Sequence, residues 1–271
     1  MGCDRHRADG EFVTLRSIRM DLWVNFSANS RTDHRNRELL VAGDPQGGIR
    51  FWDSSSGRSV RKFVDARRRA ASFACSADET KLAVGNTDGT ISLWSVSPRQ
   101  LLHRFDAHGS EVIGVCFIDG GKKLATVAEH EPIRIWEAEG GTKLRELEIV
   151  GDVVTCLASN HEGKLLLAGT DGGRVMSWDA TSFSEMANIQ HGSAATCNIV
   201  FNQDETRVFI SDGTNQIAVF RPHDLSRLMV LKARSNVSAI GIDGTDTPLV
   251  SGAAEGAMER EFVENTVKSE A

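Results

Sequence analysis

The stretch Lys81-Leu-Ala-Val-Gly-Asn-Thr-Asp-Gly-Thr-Ile-Ser-Leu-Trp94 decides the architecture. Leu82, Val84, Ile91, Leu93 and Trp94 are strand-prone apolar positions, and Asp88-Gly89 lies between the two runs. Glycine takes the positive φ that a tight hairpin turn requires, so the stretch reads as two antiparallel strands joined at that turn.

The pattern recurs along the chain. Leu40-Val-Ala-Gly leads to Ile49-Arg-Phe-Trp52-Asp53, and Lys123-Leu-Ala-Thr to Ile133-Arg-Ile-Trp136-Glu137. Lys164-Leu-Leu-Leu-Ala-Gly leads to Val175-Met-Ser-Trp178-Asp179, and Arg207-Val-Phe-Ile to Ile217-Ala-Val-Phe220. The closing aromatics Trp52, Trp94, Trp136, Trp178 and Phe220 are 42 residues apart. A period of roughly 40–45 residues closing on an aromatic marks a four-stranded propeller blade. The expected fold is therefore all-β: a β-propeller of about six four-stranded antiparallel blades. Expected boundaries are a polar lead-in over 1–11, one propeller domain over 12–263 and a tail over 264–271.

Leu22-Trp-Val-Asn-Phe26 reads as the inner strand of the first blade, followed by a charged insertion from Asn29 to Glu38. Later blades run over about 66–107, 108–149, 150–191 and 192–233. In Ile91-Ser-Leu-Trp94, Ile91 and Leu93 are expected to point one way and Trp94 the other, as stacked blades require. The last blade is degenerate. Val237–Ile242 and Leu249–Gly252 fit strands, but Ala257-Met-Glu-Arg-Glu-Phe262 fits a strand or a short helix. The unattached strand Phe12–Ile18 is available to complete that blade and close the ring.

The chain of 271 residues has a net charge of −6, so it lacks the global basic footprint of a nucleic-acid binder. Its five cysteines form no CxxC pair; Cys75, Cys116, Cys156 and Cys197 fall in expected inner strands, which fits a reducing compartment. The N-terminus has no apolar stretch of the secretory kind. Gly2-Cys3 is followed by His6 where an acylation signal has Ser or Thr, so lipidation is not expected. No apolar run reaches membrane-spanning length. The expected location is cytoplasmic, with the nucleus as the alternative.

The repeats resemble the WD-repeat β-propellers over roughly residues 20–253. Trp52-Asp53 and Trp178-Asp179 match the closing dipeptide of that family, which decays here to Trp94-Ser95, Trp136-Glu137 and Phe220-Arg221. The resemblance places a His 28 residues before the Trp; His108 has that spacing to Trp136, and His191 stands one residue off relative to Phe220. Asp88 matches the turn Asp of the family. The third blade has His108, Thr126 and Trp136 but His130 in place of Asp, and the second has Asp88 and Trp94 but Ala66 and Val84. No blade therefore holds the complete His, Ser/Thr, Asp and Trp set, and lower stability per blade is expected.

No nucleophile elbow, phosphate-binding loop or zincin motif is present. His103, His108, His130 and Glu131 lie near one another in sequence but on elements that need not converge, and the inner strands carry Val112, Val115, Val154 and Ile199 where a channel metal would need carboxylates. No cofactor and no metal are expected. Arg67-Arg68-Arg69 is the sharpest charge feature. Such a run is ordinarily a solvated loop; beside acidic loops it would instead orient an acidic peptide or helix. The resemblance puts these arginines on one face with Glu111, Glu129, His130, Glu131, Asp152, His108 and His191. It implies a non-catalytic scaffold that docks protein partners on this loop face within a multiprotein complex. Two alternatives stand beside it: a propeller enzyme or small-ligand binder using the central channel, and an interaction module of a larger protein.

Overall fold

A computed structural model describes residues 39–43, 48–53, 58–64, 69–232 apart from 197 and 203, 236–237, 239–242, 249–252 and 258–261. Among the described residues, twenty-two strands form six antiparallel sheets. The opening hairpin is β5 (Lys81–Asn86) and β6 (Thr90–Ser95), paired with Leu82 opposite Trp94 and Gly85 opposite Ile91. β4 (Ala70–Cys75) and β7 (Gln100–Asp106) flank it in the order β4-β5-β6-β7.

The next three sheets repeat this order. They are β8 (Val112–Ile118), β9 (Lys123–Ala128), β10 (Ile133–Glu137) and β11 (Lys143–Leu147); β12 (Val154–Ser159), β13 (Leu165–Thr170), β14 (Arg174–Asp179) and β15 (Glu185–Gln190); and β16 (Asn198–Phe201), β17 (Val208–Ser211), β18 (Gln216–Phe220) and β19 (Arg227–Lys232). The first sheet contains β1 (Leu39–Gly43), β2 (Gly48–Asp53) and β3 (Ser59–Val64), and the last β20 (Ala239–Ile242), β21 (Leu249–Gly252) and β22 (Met258–Glu261). β22 pairs with β21, which settles Met258–Glu261 as strand rather than helix. The expected strands at 12–18 and 22–26, the aromatic at 262 and the lead-in and tail lie outside the described residues.

Each first strand adjoins the first strand of the next sheet, from β4 through β8, β12 and β16 to β20. These strands therefore line the inside, and β7, β11, β15 and β19 form the rim. The sheets stack through alternating side chains, as the hairpin implied. Ile91 and Leu93 pack forward against Val115, Leu124 and Trp136 of the third sheet, while Trp94 packs back with Leu82 against Ile49 of the first. Trp178 packs back on Ile133 and Ile135, and Phe220 on Leu165, Leu167 and Val175. One period of 42 residues thus sets both faces of the sheets whose side chains are described, because a strand buries alternate side chains on opposite sides.

Cys75, Cys116 and Cys156 lie in the inner strands β4, β8 and β12, as expected; Cys3 and Cys197 lie outside the described residues. Burial pushes the Cys116 thiol up to about 12, so it behaves as a small apolar residue.

The rim strands share a second periodic feature. The register breaks immediately before each closing aromatic, at Phe51/Trp52, Leu93/Trp94, Ile135/Trp136, Ser177/Trp178 and Val219/Phe220. The bulged residues are Val60, Leu102, Leu144, Met186 and Leu228. A bulge adds one residue to the outer strand and increases its local twist.

Candidate interaction face

The antiparallel order gathers two kinds of connection at one end of the sheets: the β5–β6, β9–β10, β13–β14 and β17–β18 turns, and the links from each rim strand to the next inner strand. They are stitched together by backbone hydrogen bonds. Ala107 N–H and His108 N–H both donate to Gly89 O, at 3.1 and 2.9 Å. His191 N–H donates to Gly173 O at 2.9 Å, and Thr87 N–H to Arg69 O at 2.9 Å. Gly89 and Gly173 have φ of +83° and +78°, which glycine adopts without strain.

The third blade departs from the expected incomplete set. His108 is buried, with Nε2 2.8 Å from Thr126 Oγ1 and Nδ1 3.0 Å from Glu131 Oε2. Trp136 Nε1 donates to Thr126 Oγ1 at 2.8 Å. Glu131, not residue 130, supplies the carboxylate, so the network is complete. Ionised Glu131 only accepts, so His108 Nδ1 carries the proton and Nε2 accepts from the Thr126 hydroxyl. Glu131 Oε1 also accepts from Gly109 N–H at 2.8 Å, and Arg134 reaches Oε2 at 2.8 Å. The expectation that the third blade lacks a carboxylate in its network is therefore corrected. His130 takes the left-handed conformation, φ +60°, and leaves the next residue to reach inward.

In the fourth blade Asp152 does comparable work: it accepts from Thr170 Oγ1 at 3.0 Å and from Arg174 Nε at 2.5 Å. In the fifth, the His191 ring meets Phe220 edge-on, with centroids 5.3 Å apart, and its buried Nδ1 has no partner among the described residues. Phe220 has no N–H to extend a relay. Asp88 accepts from Thr90 N–H and Oγ1 in its turn. Asp179 caps the opposite end by accepting from Ser182 N–H at 2.7 Å, and Glu137 substitutes there by accepting from Gly140 N–H at 2.8 Å. Trp52 and Asp53 end β2.

The residues expected on the face thus divide into two groups. His108, Glu131, Asp152 and His191 hold the loops, with His108 wholly internal. Arg69, Glu111, Glu129 and His130 are exposed, while Arg67 and Arg68 lie outside the described residues. Sequence reading missed Arg134, Arg174 and Val150. Val150 is 84% exposed on this end, and its carbonyl accepts from Arg174. The signal was available: Val150 stands 28 residues before Trp178, where the third blade has His108. An open depression of about 440 Å³ lies at the other end, between the second and third blades, lined by Ser76, Lys81, Gly121, Glu139 and Leu144 among others. Among the described residues no three metal-type side chains converge, and no helix is long and apolar enough to cross a membrane.

Burial lowers the pKa of His108, against the opposing pull of Glu131, and burial likewise lowers His191, against Asp212. Glu131 is raised by burial but brought below its usual value by its bonds from His108 and Gly109 and by the Arg134 charge. A histidine depressed in the folded state is protonated first in the unfolded chain. Its stabilising contribution is therefore present above the ordinary value of 6.5 and declines as pH falls toward the folded-state value. The urea midpoint should be flat from about pH 8 to 7 and fall below about pH 6.5. His108→Gln should flatten part of that fall; an unchanged slope would rule out His108 as its source. The Glu131 contribution acts separately, as pH drops below its ordinary 4.5.

Comparison with known proteins agrees with this geometry. The family model described as "WD domain, G-beta repeat" matches residues 142–179, which span β11 through β14. The chain is 20% identical over 232 residues to Autophagy-related protein 16 of Arabidopsis thaliana, covering 82% of this chain and 45% of that protein. It is 29% identical over 142 residues to Target of rapamycin complex subunit wat1 of Schizosaccharomyces pombe, covering 52% and 45%. It thus spans less than half the length of these relatives. The crystal structure of the computationally designed Ika8 protein superposes with a TM-score of 0.66 at 21% identity, over 83% of this chain and 68% of that one. The period of 42 residues and the stacked four-stranded sheets make the fold a β-propeller, and residues 142–179 match the WD domain, G-beta repeat family.

Proposed function

We propose that the chain is a non-catalytic scaffold of the cell interior that docks protein partners on the loop face. The observation that carries this reading is the division of labour on that face. His108, Glu131, Asp152 and Arg174 are consumed in fixing the loops, which leaves Arg69, Glu111, Glu129, His130 and Val150 exposed on a pre-organised frame. Loops held by a rigid scaffold bind with little ordering cost, and a few apolar or Arg anchors supply most of the affinity. A relative that is by its name a complex subunit supports the same role. The arginine run at 67–69 and the acidic side chains nearby would orient the partner.

Affinity capture from native cells tests it, comparing wild type with Arg67/Arg68/Arg69→Glu, Glu129→Lys with Val150→Asp, and Lys122→Glu at the opposite end. A stoichiometric partner should be lost with one of the loop-face variants and kept with Lys122→Glu. Retention by both loop-face variants, each with an unchanged melting temperature, would overturn the assignment of the face.

A further inference from the structure

The rim positions two residues beyond the bulges of β7, β11, β15 and β19 are also periodic: Arg104, Glu146, Asn188 and Val230 are 42 residues apart. Three are polar. Arg104 donates to Ser92 Oγ, and Glu146 pairs with Arg134 and Lys143. In the fifth blade the position is Val230, 39% exposed, next to the bulged Leu228 at 38%. Met229 and Leu231 turn inward against Phe209, Ile217 and Val219. β19 is the end strand of its sheet. Its sequence Arg227-Leu-Met-Val-Leu-Lys232 carries no charge between its two cationic ends, and neither end pairs with a carboxylate among the described residues. Of the rim strands whose side chains are described, only this one combines an open edge with two exposed apolar residues.

We propose that the outer edge of β19 receives an extended acidic-ended segment of another protein by strand addition. Backbone pairing to the edge would supply affinity, and apolar side chains of the segment would cover Leu228 and Val230. A carboxylate at each end would meet Arg227 and Lys232, about 17 Å apart along a strand. The same charges argue against a second copy of this chain: symmetric antiparallel pairing of two β19 strands sets Arg227 opposite Lys232, cation against cation. The site is separate from the loop face and does not depend on it.

The test uses two fluorescein-labelled, end-blocked peptides, Glu-Val-Thr-Val-Thr-Glu and Lys-Val-Thr-Val-Thr-Lys, with the full chain in anisotropy titrations at low salt. The acidic-ended peptide should bind at least about tenfold tighter. Val230→Glu should abolish that binding, and Arg227→Glu/Lys232→Glu should reverse the preference. These residues are exposed, and unchanged thermal melts would show that the variants fold. Equal affinity for the two peptides, absence of binding, or no reversal in the charge-swapped variant overturns the proposal. So does a concentration-dependent dimer by light scattering that Val230→Glu dissolves, which would make this edge a self-association surface.

Discussion

Trp136→Ala should lower the stability of the propeller by about 3–5 kcal/mol. The indole is only 6% exposed and lies in the cluster that joins the second and third blades, among Ile91, Leu93, Val112 and Phe117. Its ring is 4.9 Å from that of Phe105 on the neighbouring rim strand. A buried indole removes about 200 Å² from water, worth several kcal/mol at ~25 cal/mol per Å². The β-sheet around it cannot collapse into the space, because β9 and β10 are fixed by their own ladder. The lost bond to Thr126 Oγ1 adds about 1 kcal/mol, since that oxygen loses the indole N–H it accepts from.

Two companion variants separate these contributions. Trp136→Phe keeps a ring but loses the N–H, as Phe220 does in the fifth blade, and should cost well under half as much. Trp94→Ala should also cost less, because Trp94 is only half-buried against the first sheet. Urea midpoints in the order wild type, Trp136→Phe, Trp94→Ala, Trp136→Ala are expected. Equal losses at residues 94 and 136 would contradict the assignment of the two aromatics to interfaces of different depth.

The aromatics were legible in sequence because strand packing is periodic: side chains alternate with a period of two, sheets repeat at 42, and both periods leave an imprint on apolar residues. The polar network of the third blade was not legible in the same way. Its carboxylate comes from residue 131, one position beyond the expected one, because His130 adopts a left-handed φ and shifts the reach of the turn. Side-chain reach across a turn depends on one dihedral angle, which composition does not encode. Arg174 was missed for a related reason, since its partners Asp152 and Val150 lie about twenty residues upstream on a different element. The bulges, in contrast, do have a sequence counterpart: the apolar residue at 102, 144, 186 and 228 stands out of the alternation of its rim strand.

Gly89→Ala should cost about 3 kcal/mol, far more than the removal of one flexible residue would suggest. A Cβ there would lie 2.1 Å from His108 O and 2.9 Å from His108 C, both backbone atoms that cannot swing aside. The loop carrying His108 would have to withdraw. That breaks the bonds from Ala107 and His108 N–H to Gly89 O and draws the imidazole away from Thr126 and Glu131. Gly120→Ala is the matching control: its φ is +63°, also left-handed, but nothing lies within 4 Å of its added Cβ. It should therefore cost only the left-handed penalty, about 1 kcal/mol. Hydrogen exchange at the Ala107 and His108 amides should accelerate in Gly89→Ala and stay unchanged in Gly120→Ala. If the two substitutions cost the same and exchange is unaltered, the loop face is not tied to the turn of the preceding blade, and its pre-organisation must have another source.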